Sequence, residues 1–385
     1  MTQRISLKFK ILYSAGIVKK NEFLNIEDDR VISISTDPLK GNEIIDYGDY
    51  TIIPGIIDIH THGYGGMDAM ECDMNQIQTW SVKLLAHGVT GFIPTSVSAT
   101  SEDISKFINK FKAYMKNSSD AGAEVLGVRL EGPFISLKRS GAHRKDLIRD
   151  PAMNEIENIC ITGKGVVRII DIAPELKGAK EASVYLRENG ILVSLGHSDA
   201  DYATAQKFLK ENFNHFTHFY NAMSPFQHRD GGMVGAGLLS NNSKLEIIAD
   251  LFHIHREAIE MCVRNRGWEN IILITDSISA TGMKDGLYDL GGLRVEMKDG
   301  KCHLENSETI AGSTLTLDKA ILNLIDSGYS IENFIGSLTL NPALSLGLMD
   351  RGKLEPGLRA DFCVLNGDNS VEKTYIKGRM VYSKK

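Results

Sequence analysis

Two histidines, His60 and His62, stand two residues apart in the run IIDIHTH. Side chains alternate along a strand, so this spacing presents both imidazoles on one face, where they can share a metal ion. The pair alone carries little, because a strand-to-loop junction with two polar residues reads the same way. Four further residues change the balance. Glu131, His197, His218 and Asp276 close the runs EVLGVRLE, ILVSLGH, FNHFTH and IILITD. Nitrogen and oxygen donors converging from separate strands around an open position are how catalytic zinc or iron is held. Each of the four is a potential ligand or base.

The other histidines divide by position. His215 precedes His218 by three residues, so alternation sends it to the opposite face of its strand and a structural role. His87 ends a helical segment before Gly88, where it can satisfy terminal carbonyls, and His303 falls in a hairpin. His143, His228, His253 and His255 follow strands in loops, where substrate contact and plain solvation are both open readings.

The elements that position these residues form a repeating pattern. Eight strand-like runs occupy 52–60, 91–96, 124–131, 166–173, 191–197, 213–218, 245–250 and 271–276. Amphipathic stretches such as 74–88, 101–117 and 201–212 lie between them, with apolar residues recurring at three and four. Alternation of this kind predicts βα units around a parallel sheet, and eight strands close a barrel. An open doubly wound sheet would alternate similarly, but no glycine-rich dinucleotide fingerprint follows the first run. The expected fold is therefore α/β: a (β/α)8 TIM-like barrel over 52–345. Strand-like pieces at both ends (LKFKILYS, RVISIST, ADFCVLN, TYIKGRMVY) predict a small discontinuous β-sandwich domain from residues 1–51 and 346–385. After the eighth run, 293–305 reads as a hairpin turning at Asp299-Gly300.

Composition excludes several classes. A formal net charge of -6 over 385 residues offers no general attraction to phosphate backbones, so nucleic acid is not an expected partner. No stretch reaches the roughly 18 uninterrupted apolar residues of a membrane span, and the amino terminus has no export signal. Five scattered cysteines (Cys72, Cys160, Cys262, Cys302, Cys363) form neither a disulfide framework nor a C-x-x-C site, which fits a reducing cytoplasm.

In order along the chain, HTHGYGG, EGPFIS, SLGHSDA, THFYNAMSPFQHRDGG, IIADLFHIH and LITDS resemble the N-acetylglucosamine-6-phosphate deacetylases of the amidohydrolase superfamily, over essentially the whole length. Many other members of that superfamily place a carbamylated lysine on strand four; VVRIIDIA has none. The resemblance implies a principal metal site of Glu131, His197 and His218 completed by water, Asp276 as catalytic carboxylate, and His143 on the substrate carbonyl. His60 and His62 imply capacity for a second ion, hence one or two divalent metals among zinc, iron, manganese and cobalt. Implied substrate contacts are Ala142, His143, Asn221, Ala222, Arg229, Asp250, His253, Ile310, Ala311 and Gly312, with Arg229 gripping phosphate and backbone N–H groups at Asn221-Ala222 assisting. The implied reaction converts N-acetylglucosamine 6-phosphate to glucosamine 6-phosphate and acetate in amino-sugar catabolism, within a homodimer. SISATG after Asp276 and SPFQH before Arg229 depart from the commoner family wording and leave the galactosamine epimer open. Two rival readings are a cyclic-amide amidohydrolase, which the missing lysine disfavours, and a noncatalytic sugar-phosphate sensor, which would need no base at Asp276.

Overall fold

The computed structural model describes residues 3–118 and 121–385, so the first two residues of the expected terminal domain lie outside it. Eight parallel strands form a barrel: Ile56–Thr61, Val89–Ser96, a divided third strand, Val167–Ile172, Leu192–Leu195, His215–Phe216, Lys244–Ile247 and Ile271–Leu273. The third is divided into Glu124–Val125 and Val128–Leu130 because Gly127 takes φ +135°, a conformation an L side chain resists. Closure falls between the first and eighth strands just past their ends. Asp276 N donates to His60 O at 2.9 Å, and His62 N donates to Ser277 O at 2.7 Å. Asp58 reinforces this seam by accepting from Thr275 Oγ1 at 2.6 Å.

Crossover helices cover the outside for local reasons. In Ser101–Asn117, the Thr100 side chain caps Asp103 N, Glu102 and Asp103 suit the positive first turn, and Ile104, Phe107, Ile108, Phe111 and Tyr114 form one buried stripe. Met74–Leu84 begins with a capping box between Asp73 and Gln76, and Tyr202–Lys210 begins on an Asp201 cap.

The two chain ends join in one eight-stranded sheet beside the barrel. Its strand Glu43–Pro54 pairs parallel with Arg4–Ser14 and antiparallel with Phe362–Leu365, and a core including Leu7, Phe9, Leu24, Ile52 and Phe362 is its own. That strand runs into the first barrel strand through Gly55, where a Cβ would come 2.2 Å from Thr90 Oγ1. The expected hairpin is one strand larger: Gly286–Leu290 joins Leu293–Lys298 and Lys301–Leu304, with the turn at Asp299-Gly300. The extra strand, GLYDL, is concealed in sequence because it lacks alternation: its apolar Leu287 is exposed and only Leu290 is buried.

Inside the barrel, beneath the strand ends, lies Arg129, fully buried. Its Nε and Nη2 donate to Asp171 at 3.0 and 2.7 Å, its Nη1 to Glu246 Oε1 at 2.6 Å, and Nη2 also to Thr217 Oγ1 at 3.0 Å. Burial disfavours the charged guanidinium, but Asp171 and Glu246 outweigh it and hold the proton more tightly than usual. Replacing one partner of such a cluster strands the others in a low dielectric. Arg129→Met is expected to lose about 3–5 kcal/mol in urea unfolding, against under about 0.5 kcal/mol for substitution of an exposed, unpaired surface lysine such as Lys10.

Candidate active site

His60 lies in the first strand and His62 one residue past it, with Asp58 on the same inward face. Glu131 directly follows the third strand and keeps step with inward Arg129. Alternation places these correctly. It does not place His197, His218 and Asp276, whose backbones turn left-handed at φ 46°, 23° and 51°. Such conformations cost on the order of 1–3 kcal/mol each outside glycine and cluster where function needs them. The same departure corrects the expectation for His215. It points into the barrel, with Nδ1 3.0 Å from Ser194 Oγ and 3.6 Å from Glu246 Oε1. His218 reaches the centre because the strand is no longer extended there, so counting three residues back gives the wrong face. His215 remains outside the cluster. His87 also differs from its expectation, binding Tyr64 and Asp318 side chains at 2.7 and 3.0 Å.

The five expected ligands and Asp276 meet in one buried cluster. Glu131 Oε1 stands 2.9 Å from His218 Nε2, 3.1 Å from His197 Nε2 and 3.5 Å from His60 Nε2, and Oε2 stands 3.1 Å from His62 Nε2. Asp276 Oδ1 is 3.3 Å from His60 Nε2 and 3.2 Å from His62 Nε2. The Nε2 atoms of His197 and His218 are 3.0 Å apart. Donors bound to zinc at about 2.0–2.2 Å in a tetrahedron stand roughly 3.3 Å from one another, so these separations suit a shared cation.

Proton placement sorts the rings. His197 Nδ1 lies 2.8 Å from Arg139 O; a carbonyl only accepts, so Nδ1 carries the hydrogen and Nε2 turns its lone pair inward. His60 Nδ1 faces Glu246 Oε2 at 3.4 Å to the same effect. His143 is the reverse. Its Nδ1 accepts from Ser98 N at 3.0 Å, so Nε2 presents N–H toward Glu131 Oε2 at 3.3 Å. Distance alone would group His143 with Glu131 and His197 as ligands; its tautomer makes it a donor, and His218 fits that place better. Burial lowers the His143 pKa, keeping the ring neutral.

Charge tells the same story. Burial and then Arg129 oppose protonation of His60, yet Glu131 and Asp276 lift it to about 10. Burial likewise opposes protonation of His62, and Asp276 and Glu131 lift it to about 9. Burial would raise Asp276, but His60 and His62 hold it at about 2. The cluster draws in positive charge, which a divalent ion would supply, and its imidazole and carboxylate donors fit zinc, iron, manganese or cobalt.

A cavity of ≈ 380 Å³ opens above the cluster. Ala142, His143, Asn221, Ala222, His253, Ile310 and Gly312 line it as expected substrate contacts. Asp250 does not; it holds His253, accepting from its N at 2.8 Å and meeting Nδ1 at 2.6 Å. Ala311 is buried behind the wall, and Arg229 is exposed on the loop 225–230, outside the lining. Asn221 N is not free for a ligand, because it donates to His218 O at 3.0 Å in the turn. Sequence reasoning missed Lys138 and Arg139 at the cavity, both bonded to Asp199, and the apolar Val97 and Leu290. The cation pair one residue past EGPFIS was a usable signal; Val97 and Leu290 gave none.

A carboxylate-and-imidazole cluster at the carboxyl mouth of a (β/α)8 barrel defines a hydrolase of the metal-assisted class. Residues 51–381 match the amidohydrolase family. The chain is 33% identical to N-acetylglucosamine-6-phosphate deacetylase of Bacillus subtilis, covering 100% of this chain and 99% of that one. It is 37% identical to the enzyme of that name from Vibrio furnissii (94% and 92% covered), and 34% identical to N-acetylgalactosamine-6-phosphate deacetylase of Escherichia coli O157:H7 (86% and 87%). Its structure superposes, at TM-score 0.94 and 29% identity over 99% of this chain and 100% of the other, on a mutant N-acetyl-D-glucosamine-6-phosphate deacetylase from Mycobacterium smegmatis in complex with N-acetyl-D-glucosamine-6-phosphate. The chain belongs to the amidohydrolase family, among its N-acetylglucosamine-6-phosphate deacetylases.

If Glu131 anchors the cation, Glu131→Gln should lower the metal content found by elemental analysis while leaving the far-ultraviolet circular dichroism unchanged. Unaltered stoichiometry would remove Glu131 from the ligand set.

Proposed function

We propose that this protein deacetylates N-acetylglucosamine 6-phosphate to glucosamine 6-phosphate and acetate, in amino-sugar catabolism. The observation that carries the reading is two kinds of tool on one buried cluster: the inward lone pair of His197 and the Glu131 carboxylate that meets His218, and beside them a neutral N–H from His143 and the carboxylate of Asp276. Catalysis is assigned to residues 52–345, with 1–51 and 346–385 supporting them.

Glu131, His197 and His218 would hold a divalent ion whose chemistry is to acidify water and polarise the amide carbonyl. Asp276, ionised at neutral pH, takes the proton of the attacking water and returns it to the nitrogen as the C–N bond breaks; an amine anion would otherwise be a poor leaving group. His143 Nε2–H donates to the carbonyl oxygen as negative charge gathers there. His60, His62 and Asp276 form a second group able to take an ion, so the protein has capacity for one metal or two.

Two lines of similarity bear on the sugar. Deacetylases of the glucosamine substrate dominate the relatives, while the Escherichia coli relative of the galactosamine substrate keeps the epimer as a second reading. Arg229 is the proposed phosphate ligand because its planar fork matches phosphate oxygens. It is exposed beside Phe226, itself 60% exposed, and that surface supports the homodimer proposed here. Among the described residues no helix is long and apolar enough to cross a membrane, and all five cysteines are free and buried, which supports a cytoplasmic setting.

Incubating metal-replete protein with N-acetylglucosamine 6-phosphate, its galactosamine epimer and the unphosphorylated sugar should release acetate fastest from the first. Silence on all three would overturn the assignment. Asp276→Asn should keep the ion at Glu131, His197 and His218 and the substrate affinity, yet lower kcat by about 10²–10⁴-fold, since an amide cannot accept the proton. Arg229→Ala should raise KM for the phosphorylated sugar about 10–100-fold and leave the unphosphorylated sugar unaffected; an equal effect on both would shift the role to Lys138 or Arg139.

A further inference from the structure

A second cavity of ≈ 680 Å³ lies beside the active one, lined by Met70, Ala99 and Phe107 and by charged side chains such as Asp103, Lys106 and Arg144. Among the described residues a single side chain, Val97, lines both. Val97 is 5% exposed and packs in a small cluster with Leu290, against which Met70 and Ala142 also rest. Gly291, left-handed at φ 55°, lies flush against it: a Cβ there would stand 2.2 Å from Val97 Cγ2. The next residue, Ser98, fixes His143 through its N–H at 3.0 Å and its Oγ at 2.9 Å from Nδ1. Val97 is therefore tied by the backbone to the ring that meets the scissile carbonyl.

Building on the deacetylase reading, the orientation of the acyl group follows. The carbonyl oxygen takes the His143 N–H, the attacking water comes from the side of Glu131, His197 and His218, and the nitrogen with its sugar faces Asp276 and the open cavity. The remaining substituent of the carbonyl carbon is the methyl group. The apolar lining tied to His143 is Val97, whose neighbour Ser98 bonds the ring, with Leu290 packed against it, and this is the surface that would receive the methyl group. We infer that Val97 is the specificity-determining residue for acyl length: it caps the acetyl pocket and partitions it from the neighbouring cavity.

The partition makes a quantitative demand. One surplus methylene against a closed apolar wall is discriminated by about 10–200-fold in kcat/KM. In the wild type, the N-propionyl and N-butyryl analogues of the sugar phosphate should lag the N-acetyl compound by at least that factor. Val97→Ala removes two methyl groups from the wall and joins the pocket to the space behind it, so the propionyl-to-acetyl ratio of kcat/KM should rise about tenfold or more. Val97→Ile, which adds a methylene, should lower that ratio below the wild-type value. Carboxylate release from the three substrates by the metal-replete proteins supplies the ratios. No release from the wild type with any substrate would overturn the deacetylase reading and this one together. An active wild type with the same ratio in Val97→Ala would overturn the partition alone. Should Val97→Ala fail to fold, Val97→Ile decides: a ratio unchanged or raised overturns the inference.

Discussion

Arg129 sets a guanidinium at the centre of the barrel, and the arrangement of the site depends on it. It binds Asp171 through two nitrogens and Glu246 through a third. Glu246 in turn accepts from His218 N at 3.2 Å and faces His60 Nδ1 at 3.4 Å. One carboxylate thus touches the ring of one candidate ligand and the left-handed backbone of another. The geometry above is set from below. Asp171, Glu246, Glu131 and Asp276 crowd around Arg129, His60 and His62, and their negative charge raises the pKa of both rings. Burial pushes Asp58 up to about 6, so at neutral pH it stays largely ionised and adds to the negative excess. What is left over is concentrated at the mouth, where a dication would sit.

Much of this was legible in the sequence, for reasons that differ by residue. His60, His62 and Glu131 obey strand alternation, so type and spacing sufficed. His197, His218 and Asp276 could be recognised as residues closing apolar runs, but their aim depends on a left-handed turn that no period encodes. His215 shows the limit: the arithmetic of alternation holds only while the backbone stays extended. Arg129, Asp171 and Glu246 did leave a trace, a lone charge within each of VRL, IID and LEI. A charge in a strand buried on both faces must find partners, and three such strands in one barrel can supply them to each other.

The pocket wall was illegible for another reason. Val97 and Leu290 are ordinary core residues by composition, and they become functional only through what stands on either side of them. Leu290 comes from a three-stranded sheet inserted after the last barrel strand, and Val97 from the end of the second. Contacts between elements so distant in sequence carry no local signature. Arg229 is the converse case: its side chain suits a phosphate, but it lies away from the lining. Residue type identifies capability, whereas placement belongs to the fold.

The strand Glu43–Pro54 passes through Gly55 into the strand bearing His60, and its other edge is taken by Phe362–Leu365. Phe362 lies opposite Pro54, so the whole barrel must be made before that edge is covered. During synthesis, the segment leading to the first metal-facing histidines emerges early and waits with an unpaired edge until Phe362–Leu365 arrives. Contacts of such long range are slow to form, because the intervening chain must be ordered first. A strand far later in the chain, Phe362–Leu365, therefore finishes the support for the strand that carries His60.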